Sequence, residues 1–217
     1  MKVFRNTFNR VKSIISNSKE SIKKTLLRRK CEEQTGPEYK AFHKNIPAYL
    51  QSKGITSLYH FTDKRNLQSI IEHKGLYSWY GLQQQNIDAF LSSNELSRKL
   101  DLKKHKENYI RLTFHNYHPM MTKLKYEENI DFVCLEIDLE IACLSSTLFS
   151  NMNATDHNVI IKGSFDFLKT LNLDVFKIEY KNLDPQSKKY YQAEVLVQDF
   201  LPIQYIKNLE DLKRRYL

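Results

Sequence analysis

The sequence predicts an α+β fold, on three observations. Strand-like and helix-like segments alternate irregularly, without the steady βαβ rhythm of a doubly wound sheet. Strands outnumber helices in the second half. No Gly-rich phosphate loop and no internal repeat appears, which argues against Walker and Rossmann nucleotide sites.

The elements follow in order. Phe4, Phe8, Val11, Ile15, Ile22 and Leu26 recur at steps of three, four and seven, so residues 1–36 read as a basic amphipathic N-terminal arm. Gly36 and Pro37 mark a turn and a domain boundary, with residues 37–217 as the second domain. A short helix fits residues 40–53 and ends near Gly54. Residues 56–61 (TSLYHF) are rich in aromatic and β-branched side chains and read as a strand, followed by a helix over 66–74 that Gly75 stops. Residues 81–108 are polar and read as a long surface excursion with a short helix near 95–100; such excursions often carry function. Strands are expected at 109–114, 131–138, 158–161, 175–180, 192–198 and 203–206, and helices at 165–171 and from 208 onward.

The chain has 217 residues, 41% hydrophobic and 27% charged, with five Gly and five Pro. That composition excludes disordered and collagen-like chains, which bury too little apolar surface to offset chain entropy. No apolar run approaches the roughly 18 residues of a membrane-spanning helix, so no integral membrane contact and a cytoplasmic location are expected. Three cysteines without CxxC or Cys/His spacing give no support to a disulfide framework or a metal site. The net charge is +9, and residues 1–30 hold ten of the 34 basic residues and one of the 25 acidic ones, leaving 24 of each in the body. A basic amphipathic arm on a neutral body fits a nucleic-acid backbone, an anionic membrane surface, an organelle transit peptide, or packing on its own domain.

Several residues stand out chemically. Glu194 sits in QAEVLVQ, a strand otherwise suited to a core, and a carboxylate there must be paired, exposed at an edge or aimed into a cleft. His60, in an aromatic strand just before a turn, reads either as a satisfied core residue or as a donor at a ligand site, with the Thr62 hydroxyl beside it. Arg98 reads as a phosphate partner or as part of a solvated helix face. His115 and His118 in HNYHPM lack a third ligand and read as a turn. Tyr77, Trp79 and Tyr80 could stack bases, with Lys103, Lys104 and Lys106 along phosphates, or they form a local aromatic cluster and an ordinary Lys-rich loop.

Taken together, YHFTDKRNLQSIIEHKGLYS (59–78), NYIRLTFHNYHPM (108–120), FSNMNATDHN (149–158) and YYQAEVLVQDFLPIQYI (190–206) resemble the DarT family of NAD-dependent single-stranded DNA ADP-ribosyltransferase toxins. The resemblance covers about residues 55–210 and leaves the arm out. It implies a mono-ADP-ribosyltransferase fold, a split antiparallel core clasping extended NAD. It also implies Glu194 and Arg98 as catalytic residues, with Tyr59, His60, Thr62, Asn66, Gly75 and Arg98 binding the cofactor and Arg111 competing with Arg98 as the NAD-orienting arginine. NAD serves as substrate and no metal is required. The implied partners are single-stranded DNA and a macrodomain antitoxin, with the enzyme monomeric.

The stretch IRLTFHNYHPM departs from the thymidine-modifying members, which carry a Pro and aromatic residues there, so thymidine and guanosine both stand as targets, beside RNA or protein. The competing reading is a binding module on the same fold without activity. A module has no need of a Glu in an apolar strand.

Overall fold

A computed structural model describes residues 37–90, 106–119, 121, 125–126 and 130–217. The amphipathic arm, and Arg98, Lys103 and Lys104 of the excursion, lie outside the described residues.

Helix α1 (Asn45–Ser52) buries Ile46 and Leu50 and ends at Gly54, whose φ of +81° suits a residue without a β-carbon. Strand β1 (Leu58–Asp63) runs into a 3-10 turn (Lys64–Asn66), where the Asp63 carboxylate accepts from the Arg65 backbone N–H at 2.9 Å, and then into α2 (Leu67–Glu72). Strand β2 (Gly75–Tyr77) leads to α3 (Trp79–Gln84), capped by the Ser78 hydroxyl at 3.0 Å from the Gly81 N–H. Then come β3 (Tyr109–Thr113), β4 (Phe132–Ile137), β5 (Leu148–Ser150), β6 (Ile161–Lys162), α4 (Phe165–Thr170), α5 (Pro185–Tyr190), β7 (Glu194–Gln198), β8 (Phe200–Pro202) and α6 (Leu209–Tyr216).

Six strands form one sheet in the order β4-β1-β3-β7-β5-β6, every neighbouring pair antiparallel, and β2 pairs with β8 in a second, smaller sheet. Alternation sorts the side chains. Ile110 and Leu112 of β3, Val133, Leu135 and Ile137 of β4, and Val195 and Val197 of β7 enter one core with Leu58, Phe149, Ile46 and Leu50. Tyr109, Arg111 and Thr113 therefore occupy the opposite face of β3, and the register sets Thr113 across from Glu194. Strands β1 and β3 share a single register pair, Tyr59 with Thr113, before they diverge. That divergence splits the sheet and opens a cleft.

Two expected strands are corrected, and the one expected at 158–161 begins only at Ile161, in β6. Residues 175–180 form 3-10 turns at Leu173–Lys177 and Tyr180–Asn182, because β7 is already flanked on both sides by β3 and β5, and the apolar residues instead bury Val175 and Leu183 against Tyr191. Residues 203–205 also form a 3-10 turn after Pro202, leaving Ile206 one bridge to Ile137. The short strands β2 and β5 and helix α5 carry too little periodicity to be predicted.

Gly75 is required by packing. A β-carbon there would lie 2.7 Å from the Phe200 ring and closer still to the Leu201 carbonyl, and its φ is +154°. Gly75→Ala is expected to destabilise the fold by about 1–3 kcal/mol in urea unfolding; an unchanged midpoint would show that β2 and β8 can separate at no cost.

Candidate active site

The split opens a cleft of about 280 Å³ between β1, α2, β2, α3 and β3, with Glu194 in its lining. Among the described residues, Tyr59, His60, Thr62, Asn66, Gly75, Arg111 and Glu194 all line it. The sequence-predicted site residues that are described are thus brought together, with Arg111 among them.

Glu194 is 4% exposed. Its Oε2 accepts from the Ala154 backbone N–H at 2.7 Å and from Arg111 Nη1 at 3.2 Å. Its own backbone N–H donates to the Ser150 hydroxyl at 3.0 Å, and that hydroxyl donates to the Met152 carbonyl at 2.7 Å. Strand β5 and the turn after it therefore hold both the backbone and one oxygen of the carboxylate. Among the described residues the bonds from Ala154 and Arg111 both fall on Oε2, and Glu194 lines the cleft. Burial pushes the Glu194 pKa up, opposed by the charge of Arg111 and the Ala154 N–H.

His60 wedges between the diverging strands. Its Nδ1 donates to the Arg111 carbonyl at 3.0 Å, since a carbonyl only accepts. Burial lowers the His60 pKa, so the ring is neutral at pH 7 and Nε2 carries a lone pair. His60 is therefore suited to accept from a ribose hydroxyl or an amide. His118, at the same cleft, is driven by burial to a pKa of about 4 and is also neutral.

Asn66 works on the protein itself. Its Nδ2 donates to the Phe90 carbonyl at 2.8 Å and to the Thr62 hydroxyl at 2.9 Å, and its Oδ1 accepts from the Phe90 N–H at 2.8 Å. The Arg65 guanidinium lies 3.8 Å from the Phe90 ring centroid and is held by Asp63 at 2.5 Å. This clamp fixes the chain at the cleft rim. Thr62 accepts from Asn66 and keeps its hydroxyl proton to donate.

Tyr77 and Trp79 line the cleft, whereas Tyr80 is exposed outside it and Lys106 lies over the Tyr109 ring. Sequence reasoning missed Ser150 and the Ala154 N–H; FSNMNATDHN carried their signal only as part of a resemblance. The pairing of Arg111 with Glu194 follows from the register of β3 on β7, which the sequence does not print.

Asn66→Ala is expected to cost about 1–3 kcal/mol through the buried groups it leaves unpaired, and to speed amide exchange over residues 87–90. Unchanged exchange there would remove the clamp.

The DarT family profile, described as ssDNA thymidine ADP-ribosyltransferase, matches residues 59–209. No curated protein matches the chain. Solved structures share the fold. Thermus sp. 2.9 DarT in complex with ADP-ribosylated ssDNA is 12% identical over 75% of this chain and 90% of its own, with a TM-score of 0.55. The same protein in complex with NAD+ gives 13% identity over the same shares and 0.54. Thermosipho africanus DarTG in complex with ADP-ribose is 21% identical over 74% of this chain and 47% of its own, with 0.60. The mixed fold, the split sheet with its buried Glu194, and a profile matched over most of the chain agree: this chain belongs to the DarT family of NAD-dependent, single-stranded-DNA thymidine ADP-ribosyltransferases.

Proposed function

We propose that Glu194 is the catalytic carboxylate of an ADP-ribose transfer from NAD to a thymine ring nitrogen of single-stranded DNA, and that Arg111 keeps it ionised and oriented. The observation that carries this reading is the Glu194 carboxylate, buried, held at Oε2 and lining the cleft. Breaking the bond between the ribose anomeric carbon and the nicotinamide nitrogen sends the electron pair to the cationic ring, which leaves neutral. The ribose then develops oxocarbenium character, and an ionised Glu194 carboxylate beside it stabilises that charge. The thymine nitrogen forms the new bond, and its proton passes to the Glu194 carboxylate. No step in this sequence calls for a metal.

His60 accepts from a hydroxyl or amide of NAD through Nε2, Thr62 donates, Tyr59 offers an aromatic wall, and Asn66 and Gly75 shape the rim. Arg98 remains the proposed phosphate partner on the resemblance alone. A thymine edge is hidden inside a duplex, which favours a single-stranded substrate. The toxin role, restraint by a macrodomain antitoxin and the monomeric state rest on the family reading, and the cytoplasmic location on the sequence's lack of a long apolar run. No described helix is long and apolar enough to cross a membrane.

The test is incubation of the protein with NAD and single-base-varied single-stranded oligonucleotides, read by mass spectrometry. The wild type is expected to add one ADP-ribose to thymidine-containing strands, Glu194→Gln to lose at least about a thousandfold in rate, and Arg111→Gln about ten- to a hundredfold while retaining NAD binding. Transfer undiminished in Glu194→Gln contradicts the assignment, and a guanosine adduct corrects the base.

A further inference from the structure

The segment between β6 and β7 builds a second feature beside the cleft. The buried Tyr191 ring sits at its centre, 5.1 Å from Phe176, 5.2 Å from Tyr180 and 6.5 Å from Tyr117, all near edge-on, and Tyr117 stands 6.3 Å from Tyr180. Tyr191, Val175 and Leu183 form a small core of their own, which accounts for the buried members. Tyr180 packs against that core with one part of its ring and is partly exposed with the rest, with Lys188 Nζ 5.6 Å over the ring, and Tyr117, 41% exposed, lies outside the core. Aromatic rings held at a surface on a rigid base lose little entropy on stacking against a flat ligand.

The position of these rings is set by the active site. Thr113 pairs in register with Glu194, Tyr117 lies four residues beyond Thr113, and Tyr191 lies three before Glu194. His115 ties the two strand ends: its Nδ1 accepts from the Tyr117 N–H at 3.2 Å and from the Tyr191 hydroxyl at 3.0 Å. The surface is also basic. Residues 176–190 contain Lys177, Lys181, Lys188 and Lys189 against Glu179 and Asp184; Lys177 pairs with Asp174, Lys181 with Glu179 and Lys189 with Asp156, while Lys188 lies over the Tyr180 ring. Stacking rings interleaved with lysines are what a single strand needs, one for its bases and the other for its phosphates. A folded protein partner would call instead for an apolar patch with complementary shape.

We propose that Tyr117 and Tyr180 form a platform that stacks a base of single-stranded DNA flanking the modified one, with Lys188 set against an adjacent phosphate. The inference rests on the DNA-modifying reading above and adds where the rest of the strand lies. It follows that a short substrate gains nothing from the platform and a longer strand does.

The test uses the full chain with Tyr117→Leu, Tyr180→Leu, the double variant and Tyr117→Trp. Substrates are a thymidine-containing oligonucleotide and the same strand carrying 2-aminopurine beside the target. The double variant is expected to raise the KM for the oligonucleotide at least about tenfold, to leave NAD hydrolysis without DNA within about twofold, and to abolish the 2-aminopurine quenching that the wild type shows. Tyr117→Trp is expected to retain wild-type KM and quenching, which a merely structural role would not grant. Should the double variant lose thermal stability, the exposed Tyr117→Leu carries the comparison alone. Wild-type KM and quenching in the Leu variants overturn the platform, as does equal loss in Leu and Trp. Wild-type protein that modifies no oligonucleotide overturns the parent reading, and the platform with it, before any variant is made.

Discussion

A carboxylate taken out of water and set against a charged arginine is the constraint on which the rest of this structure depends. Ionised carboxylates resist burial because the protein interior replaces hydration poorly, and Glu194 is almost wholly buried. Arg111 from β3 and the Ala154 N–H offset that cost on Oε2. Each partner depends on architecture: Arg111 on the β3–β7 register, Ala154 on a turn that Ser150 ties to the Glu194 backbone. Lose either and the carboxylate drifts toward its neutral form.

The split in the sheet supplies the other half of the site. Where β1 leaves β3, the Arg111 carbonyl is met by the His60 ring, so one residue contributes to both the cleft wall and the ion pair with Glu194. The hydrogen bond from Nδ1 fixes the tautomer and leaves the lone pair on Nε2 of a ring that lines the cleft. On the opposite rim, the Asn66 amide satisfies both backbone groups of Phe90, an arrangement that neither Asp nor Ala could reproduce.

Much of this was legible in the sequence. Glu194 was conspicuous because a charge in an apolar strand demands an explanation, and β1, α2 and β4 announced themselves by period and punctuation. Glu194 also shows where the sequence stops, since a paired, an edge and a cleft position were all open to it and the structure makes it both paired and cleft-lining. The 173–182 segment failed because β propensity describes side chains that fit a pleated surface, and no unpaired β7 edge was left for them. The role of Arg111 was illegible for a different reason: cross-strand pairing is a long-range fact, decided by register, and His60 could not be given a tautomer until its carbonyl partner was known.

The central claim is that Glu194 is a desolvated carboxylate that Arg111 holds toward its charged form, and NMR titration of the Glu194 side-chain carboxyl in isotope-labelled protein tests it directly. Burial leads among the causes, so the wild-type pKa is expected above the ordinary glutamate value, and Arg111→Gln is expected to raise it further. By linkage, the ionised carboxyl then works against folding, so the stability difference between wild type and Glu194→Gln should favour Gln above that pKa and vanish below the ordinary value. A wild-type pKa at or below the ordinary value, or one that Arg111→Gln leaves in place, would contradict the account.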